Sequence, residues 1–119
     1  MPPEAGDLYW IDFSGGLGSE QQGRRPGLIL TGQSYHAISR RAFVVPVTSR
    51  IRDWPTEVLL PETMTSQGVL LVDQARFIER ESRMFDFIEV APQSVLLDVR
   101  VILSLLLGLP QTHGGERQI

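Results

Sequence analysis

The chain has 119 residues, a length that fits one domain with a single hydrophobic core. Apolar residues make up 42% of it and the formal net charge is -3, an ordinary globular composition that argues mildly against nucleic acid as a partner. Cysteine is absent, which excludes disulfides, cysteine metal ligands and thiol nucleophiles, and which fits a cytoplasmic location.

Apolar and β-branched runs predict a mainly β protein. The first five residues have no basic region and no apolar stretch, so we expect no signal peptide. Strands are predicted over 7–13, 27–31, 42–47, 56–60 and 85–90, one or two more over 68–78, and a short helical turn over 79–84. Pro46 cannot donate a ladder hydrogen bond, so the strand over 42–47 is predicted at a sheet edge or with a bulge.

A helix is predicted near the end of the chain, over 95–107. Pro92 suits a first helical turn, and Gly108 with Pro110 is a stop signal. The segment is apolar nearly all round but shorter than the roughly 20 residues that span a bilayer, so we expect no membrane contact and a homodimer interface instead. Together these elements predict a small β-barrel with a packed C-terminal helix, a single domain over 1–110 and a flexible tail over 111–119.

The long loop before the second strand is dense in polar side chains. Residues 18–26 include a carboxylate, two glutamines and two arginines, and end in Pro26, which favours an extended Arg25. All 11 basic residues are arginine, most of them in close sets: Arg24 and Arg25, Arg40 and Arg41, Arg50 and Arg52, then Arg76, Arg80 and Arg83. Because a guanidinium forks onto phosphate, the loop over 18–26 is predicted to hold a ligand that is anionic or rich in hydrogen-bonding groups.

Several common catalytic motifs are missing. The sequence contains no Walker loop, no His-Glu-x-x-His and no Gly-x-Ser-x-Gly. Only two histidines are present and His113 lies in the predicted tail, so we do not expect a paired-histidine ribonuclease mechanism. His36 is predicted to face solvent. Because no carboxylate cluster is visible either, we expect metal-independent chemistry without a cofactor.

Several segments in order resemble the MazF/PemK family of toxin–antitoxin endoribonucleases. They cover 6–13, 18–26, 46–49, 54–58 and 68–76, and the similarity extends over roughly 6–108. The resemblance implies an SH3-like barrel of the CcdB/MazF/PemK type with a C-terminal α-helix, in a homodimer. It also implies metal-independent, sequence-specific cleavage of single-stranded mRNA to 2′,3′-cyclic phosphate and 5′-hydroxyl ends, and inhibition by a MazE-like antitoxin.

The resemblance also implies the residues of the site. Arg25 and Thr48 would be the main catalytic pair, and Glu20, Ser19, Gln21, Asp73 and Gln74 would line the site. Arg52 stands where relatives often have lysine and is expected to contact phosphate. Further RNA-binding candidates are Arg24, Tyr35, Ser49, Arg50 and Arg76, with Tyr35 as a base-stacking candidate.

Some alternatives stay open. Glu20 is either the general base or a cap for loop amides, and Arg25 could simply pair with Asp7, Asp12 or Glu20. Trp10 and Trp54 are expected in the core or an interface. A CcdB-like, gyrase-binding toxin and a catalytically inactive SH3-like binding module are the competing functions. The first shares the fold but needs no RNA site, and its Trp-Gly-Ile terminus is absent here.

Overall fold

Seven strands form a curved antiparallel sheet, and a helix packs against it. The computed structural model describes residues 2–16, 18 and 20–110. The strands are β1 Asp7–Asp12, β2 Arg24–Ile29, β3 Arg41–Thr48, β4 Glu57–Leu59, β5 Val69–Leu71, β6 Arg76–Glu79 and β7 Met84–Val90. The helices are α1 Gln33–His36, α2 Arg80–Arg83 and α3 Gln93–Leu106, with a 3₁₀ turn at Val72–Gln74. These elements confirm the predicted fold class.

Strand β3 is the centre of the sheet. The strand order is β4-β5-β3-β2-β1-β7, and β6 pairs with the first half of β3. Of the two expectations for Pro46, a sheet edge or a bulge, the edge is therefore wrong. On the side away from β2, β3 pairs with β6 as far as Val44 and with β5 only from Val47. Pro46 lies between these two pairings, where a missing N–H costs no ladder hydrogen bond.

Strand β2 begins earlier than its polar sequence suggests. Arg24 and Arg25 were predicted in the loop, but both are strand residues, paired with Asp12 and Ile11 of β1. Where one face of a hairpin is solvated, polar residues can pair through their backbone as well as apolar ones. The polar side chains therefore led to a predicted start of β2 that is too late. Arg25 therefore stands on a strand rather than in a loop.

Two apolar clusters hold the molecule together. The larger joins α3, through Val95, Leu96 and Val99, to Leu8, Leu28 and other buried residues of the sheet. The smaller is made of Ile11, Phe13, Ile29, Ala42, Val44 and Ile78. Full burial of each such aliphatic side chain contributes roughly 1.5–3 kcal/mol. Ile11 and Phe13 of the second cluster leave no room for a side chain at Gly27, two residues after Arg25.

Two further expectations concern His36 and α3. The prediction of a solvent-facing His36 is wrong: the ring is buried, with Nδ1 2.7 Å from the Pro3 carbonyl and Nε2 2.7 Å from the Thr31 hydroxyl. Helix α3 forms as predicted, although it begins and ends slightly earlier. None of the helices in the described part of the chain is long and apolar enough to cross a membrane.

Candidate active site

Arg25 is fixed by main-chain carbonyl groups. Its Nε and Nη2 donate to the carbonyl oxygen of Gln22 at 3.2 and 3.0 Å, and its Nη1 donates to that of Val47 at 3.2 Å. These bonds use three of the five N–H groups of a guanidinium. None of them neutralises the charge, because a carbonyl oxygen is uncharged. The half-buried side chain is thus a cation held in a defined orientation.

Thr48 ends β3 beside this guanidinium. It follows Val47, the residue that accepts from Arg25, and its own side chain is buried. Its hydroxyl oxygen accepts the N–H of Arg50 at 3.2 Å, which leaves the hydroxyl proton to be donated elsewhere. Its carbonyl lies so close to Gly68 that a Cβ there would overlap it. The fold therefore brings the two predicted catalytic residues, Arg25 and Thr48, together.

The loop between β1 and β2 folds over the 3₁₀ turn and β6. The N–H of Gln21 donates to Oε1 of Gln74 at 2.8 Å, and the N–H of Gly15 donates to Oε1 of Gln22 at 3.1 Å. Glu20, in the same loop, is exposed. The structure thus joins Gln21 to Gln74, as predicted for residues lining one site.

Two arginines support the base of that loop. Nη2 of Arg76 donates to the carbonyl of Phe13, while Nη1 of Arg83 donates to the carbonyls of Asp12 and Ser14 at 3.3 and 2.6 Å. They line a cavity of about 180 Å³ with Ser14, Gly15, Phe77 and Ile78. Hydrogen bonds from Ser14 lower the pKa of Asp12, and the nearby Arg83 adds to this. The N–H groups and positive charges of Arg76 and Arg83 favour the binding of an anion in this cavity.

The remaining predicted RNA-binding residues lie in three places. Ser49, Arg50 and Arg52 follow Thr48 in the loop to β4, and Asp73 is exposed next to Gln74. Arg24 points elsewhere, with its guanidinium carbon 3.8 Å from the centroid of the Phe85 ring. Ser19 lies outside the described residues.

Tyr35 is not brought to the site. It belongs to α1, which precedes the start of β3 by four residues, whereas Thr48 ends that eight-residue strand. Its hydroxyl accepts from Ser39 at 3.1 Å, and its ring packs against Phe77 and His36. We therefore leave Tyr35 out of the candidate site. Which residues lie near Thr48 depends on how the strands are arranged in the sheet. The polar sequence around Tyr35 does not reveal that arrangement.

Comparison with known proteins decides the family. Residues 4–107 match the PemK-like, MazF-like toxin of type II toxin-antitoxin systems. The chain belongs to this family. Over 81 residues it is 37% identical to the endoribonuclease toxin MazF of Escherichia coli K12. The aligned region covers 68% of this chain and 72% of that protein.

Solved structures agree with this assignment. MazF from Deinococcus radiodurans superposes with a TM-score of 0.86 at 40% identity, covering 90% of this chain and 97% of that one. The MazE–MazF complex from the same organism gives 0.78 at 38% identity, over 91% and 97%. For a PemK-like, MazF-like chain, a nuclease is favoured over a CcdB-like toxin or an inactive binding module.

Some members of the site could not be found from sequence. The carbonyls of Gln22 and Val47 hold Arg25, but carbonyl direction depends on backbone conformation and carries no residue signature. Arg83 is one of the closely spaced arginines in the sequence, but no role in the site was predicted for it. Among residues 2–16, 18 and 20–110, no group of three His, Cys, Asp or Glu could hold a metal ion.

Proposed function

We propose that this chain is the endoribonuclease toxin of a type II toxin–antitoxin system and that Arg25 and Thr48 act on the scissile phosphate. The observation that carries the proposal is the Arg25 guanidinium, which is fixed by two main-chain carbonyls, one of them that of Val47, the residue directly before Thr48. The relative in E. coli is named an endoribonuclease toxin, which supports the same activity here. The substrate is single-stranded RNA, cleaved at specific sequences.

The reaction is an in-line attack by the ribose 2′-oxygen on the adjacent phosphorus. The bond from phosphorus to the 5′-oxygen breaks and the departing oxygen takes up a proton from solvent, so the products are a 2′,3′-cyclic phosphate and a 5′-hydroxyl. Negative charge gathers on the non-bridging oxygens in the transition state. Arg25 donates N–H groups to this charge and Thr48 donates its hydroxyl proton, both from positions set before substrate arrives. Such preorganised donors need no reorganisation during the reaction.

The proton on the 2′-oxygen needs an acceptor. Arginine stays protonated because its pKa exceeds about 12, so Arg25 is a poor general base. Glu20 is a carboxylate in the loop that Gln22 and Gln74 hold over the site, and we assign the general base to it. A role as a cap for loop amides is the alternative. A Glu20→Gln variant separates the two, since the amide keeps the capping oxygen but cannot accept the proton.

The RNA chain would extend from this centre along the arginine-bearing loops. Ser49, Arg50 and Arg52 follow Thr48 and would bind one side of the scissile phosphate. Gln21, Asp73, Gln74 and Arg76 would bind the other side, and Ser19, outside the described residues, stays an RNA-binding candidate. Because Arg50, Arg52 and Arg76 carry charge, they would supply affinity for the phosphates, while the polar side chains, which carry donors and acceptors, would supply base recognition.

The partners follow from the same charges and from the relatives. We propose a MazE-like antitoxin with an acidic segment that lies over the arginines, since a MazE–MazF complex is known from D. radiodurans. We also propose a homodimer, a cytoplasmic location and a single toxin domain over 1–110. These assignments add no cofactor to the reaction.

Product analysis tests the proposal. Purified protein is incubated with a long natural RNA in excess EDTA, and the ends of the fragments are identified chemically. We expect discrete fragments with 2′,3′-cyclic phosphate and 5′-hydroxyl ends. Intact RNA, or 3′-hydroxyl ends, would refute the reaction proposed here.

A further inference from the structure

The loop that joins β3 to β4, residues 49–56, carries a tryptophan that the proposed reaction does not use. Trp54 is 52% exposed, and the guanidinium carbon of Arg52 lies 4.9 Å from the centroid of its ring. Of the two expectations for this residue, the core or an interface, the core is therefore not met. An indole stacked with a cation and half open to solvent is a surface on which a nucleobase stacks.

The tryptophan is not an isolated apolar side chain. Ile51 and Leu59 are 52% and 65% exposed, and they line with Trp54 a cavity of about 150 Å³. Val69, Asp53 and Glu57 complete its wall. A flat aromatic face beside a small apolar hollow, with acceptor oxygens at its rim, suits a planar base that carries N–H groups.

The loop is held in one shape by Glu57. Its Oε1 accepts the main-chain N–H groups of Arg52 and Asp53, both at 3.1 Å. The N–H of Glu57 in turn donates to the carbonyl of Trp54 at 3.0 Å. Asp53 occupies the left-handed region, with φ of 60°, where an aspartate is one of the tolerated residues. Because this loop is already ordered, little conformational entropy would be lost when a ligand stacks on it.

The loop is next to the proposed catalytic centre. Arg50 donates its N–H to the hydroxyl of Thr48, so the first turn of the loop is joined to the site. On the other side, Thr48 pairs with Val69, and Val69 pairs with Leu59 at the cavity. Neighbouring strands lie about 4.8 Å apart, which places the cavity roughly 10 Å from Thr48. A nucleotide near the scissile phosphate could reach it, and Arg50 and Arg52 supply charge for the connecting phosphates.

We propose that Trp54, with Arg52 stacked on it, is a base-binding platform for a nucleotide close to the scissile phosphate. Glu57 is the positioning residue that holds the platform. This inference rests on the proposed function, since it assigns a binding role within the same RNA site. It also replaces Tyr35 as the stacking residue, because Tyr35 lies at the other end of β3.

Tryptophan fluorescence tests the platform without any cleavage. The chain has two tryptophans, so a Trp10→Phe variant reports on Trp54 alone. The probe is a mixed-sequence single-stranded RNA in which every 2′-hydroxyl is methylated, so that 2′-oxygen attack cannot occur. We expect saturable quenching of the Trp54 emission and reduced access of acrylamide to the ring. An unchanged emission and unchanged acrylamide access at saturating RNA would overturn the proposal.

Affinity measurements on variants give a second readout. Trp54→Ala should weaken binding of the same RNA about tenfold, while Trp54→Phe should keep most of the affinity. Glu57→Ala should weaken binding although Trp54 is present, because the loop loses two hydrogen bonds. Ile38→Ala is the matched control: Ile38 is 85% exposed but lies before the opposite end of β3, so affinity should not change.

The remaining outcomes are informative as well. Equal affinity of wild type and Trp54→Ala would contradict the platform, and so would a fluorescence change with an acidic peptide but not with RNA, which would indicate a protein-binding surface. Cleavage of natural RNA by the same wild-type preparation is measured in parallel. Cleavage without any effect at Trp54 refutes only the platform. An absence of cleavage refutes the proposed reaction, while the methylated RNA still tests the platform.

Discussion

The hydroxyl group of Thr48 is oriented as a donor because its oxygen already accepts a hydrogen bond. The N–H of Arg50 donates to that oxygen at 3.2 Å, so the remaining role of the group is to donate its proton. A Thr48→Val variant keeps the shape but removes the donor. We expect single-turnover RNA cleavage to slow about 100-fold. A Thr48→Ser variant should retain most of the rate, and similar losses in both variants would indicate a role in packing.

The hydrogen bonds that the Glu89 carboxylate accepts should make the stability of the protein depend on pH. Burial raises the pKa of its carboxyl, but hydrogen bonds from the N–H groups of Ser66 and Thr65 outweigh this and lower it overall. Their lengths are 2.6 and 3.0 Å. A lowered pKa in the folded state stabilises the protein above the unfolded value of about 4.3, and this stabilisation is lost as the pH falls through the folded value.

The test is urea denaturation of wild type and Glu89→Gln. An amide has one acceptor oxygen instead of two, so the variant should unfold at lower urea concentration at pH 7. The difference between the two midpoints should shrink as the pH is lowered below 4. A difference that stays constant with pH would show that the charge of Glu89 contributes nothing to stability.

At the scale of the elements, the turn before β5 approaches the end of β3 very closely. Gly68 has a φ of 117°, and a Cβ there would meet the carbonyl of Thr48. We expect Gly68→Ala to lower the free energy of unfolding by more than the roughly 1–3 kcal/mol of a strained backbone alone. It should also reduce cleavage, because Thr48 is displaced.

Gly23→Ala is the control for that substitution. Gly23 also has a positive φ, of 78°, but its Cβ would meet no atom within 4 Å. It should therefore lose only the strain component in thermal or urea denaturation. Equal destabilisation by the two substitutions would contradict a steric role for Gly68.

The elements also show how far sequence reasoning reaches. Strands β1 and β3 and helix α3 were predictable because their apolar pattern reflects the residues that the fold buries. Strand β7 was predictable from its aromatic and β-branched residues, although none of them is buried. The start of β2 was not, since Arg24 and Arg25 look like loop residues and become strand residues only by pairing with β1. In the same way, the family resemblance predicts Thr48 as a site residue, while the carbonyls that orient Arg25 depend on tertiary structure.

At the scale of the whole molecule, α3 has apolar side chains that the rest of the domain leaves exposed. Leu97, Val101 and Leu105 recur every four residues and are 51%, 49% and 64% exposed, so they form one apolar stripe. Leu106, Leu107 and Leu109 extend the exposed surface at the end of the helix. A second copy of the chain would bury such a stripe, which is why we propose a homodimer.

Light scattering tests the homodimer. Wild type should have the mass of a dimer at micromolar concentration, and Val101→Arg should shift the mass toward that of the monomer, because it places a charge in the middle of the stripe. Ile38→Arg, with a charge added at an exposed position outside α3, is the control. A wild-type monomer, or an unchanged dimer in Val101→Arg, would contradict the assignment of this face.

The most direct test of the whole account compares two neighbouring arginines. Arg25 is held by the carbonyls of Gln22 and Val47 beside Thr48, whereas Arg24 stacks on Phe85. Single-turnover cleavage of RNA in EDTA is measured for Arg25→Ala and Arg24→Ala, with thermal unfolding as a check on folding. We predict a loss of about 100- to 1,000-fold for Arg25→Ala and a small loss for Arg24→Ala. Equal losses in two folded variants, or full activity of Arg25→Ala, would contradict the central role of Arg25.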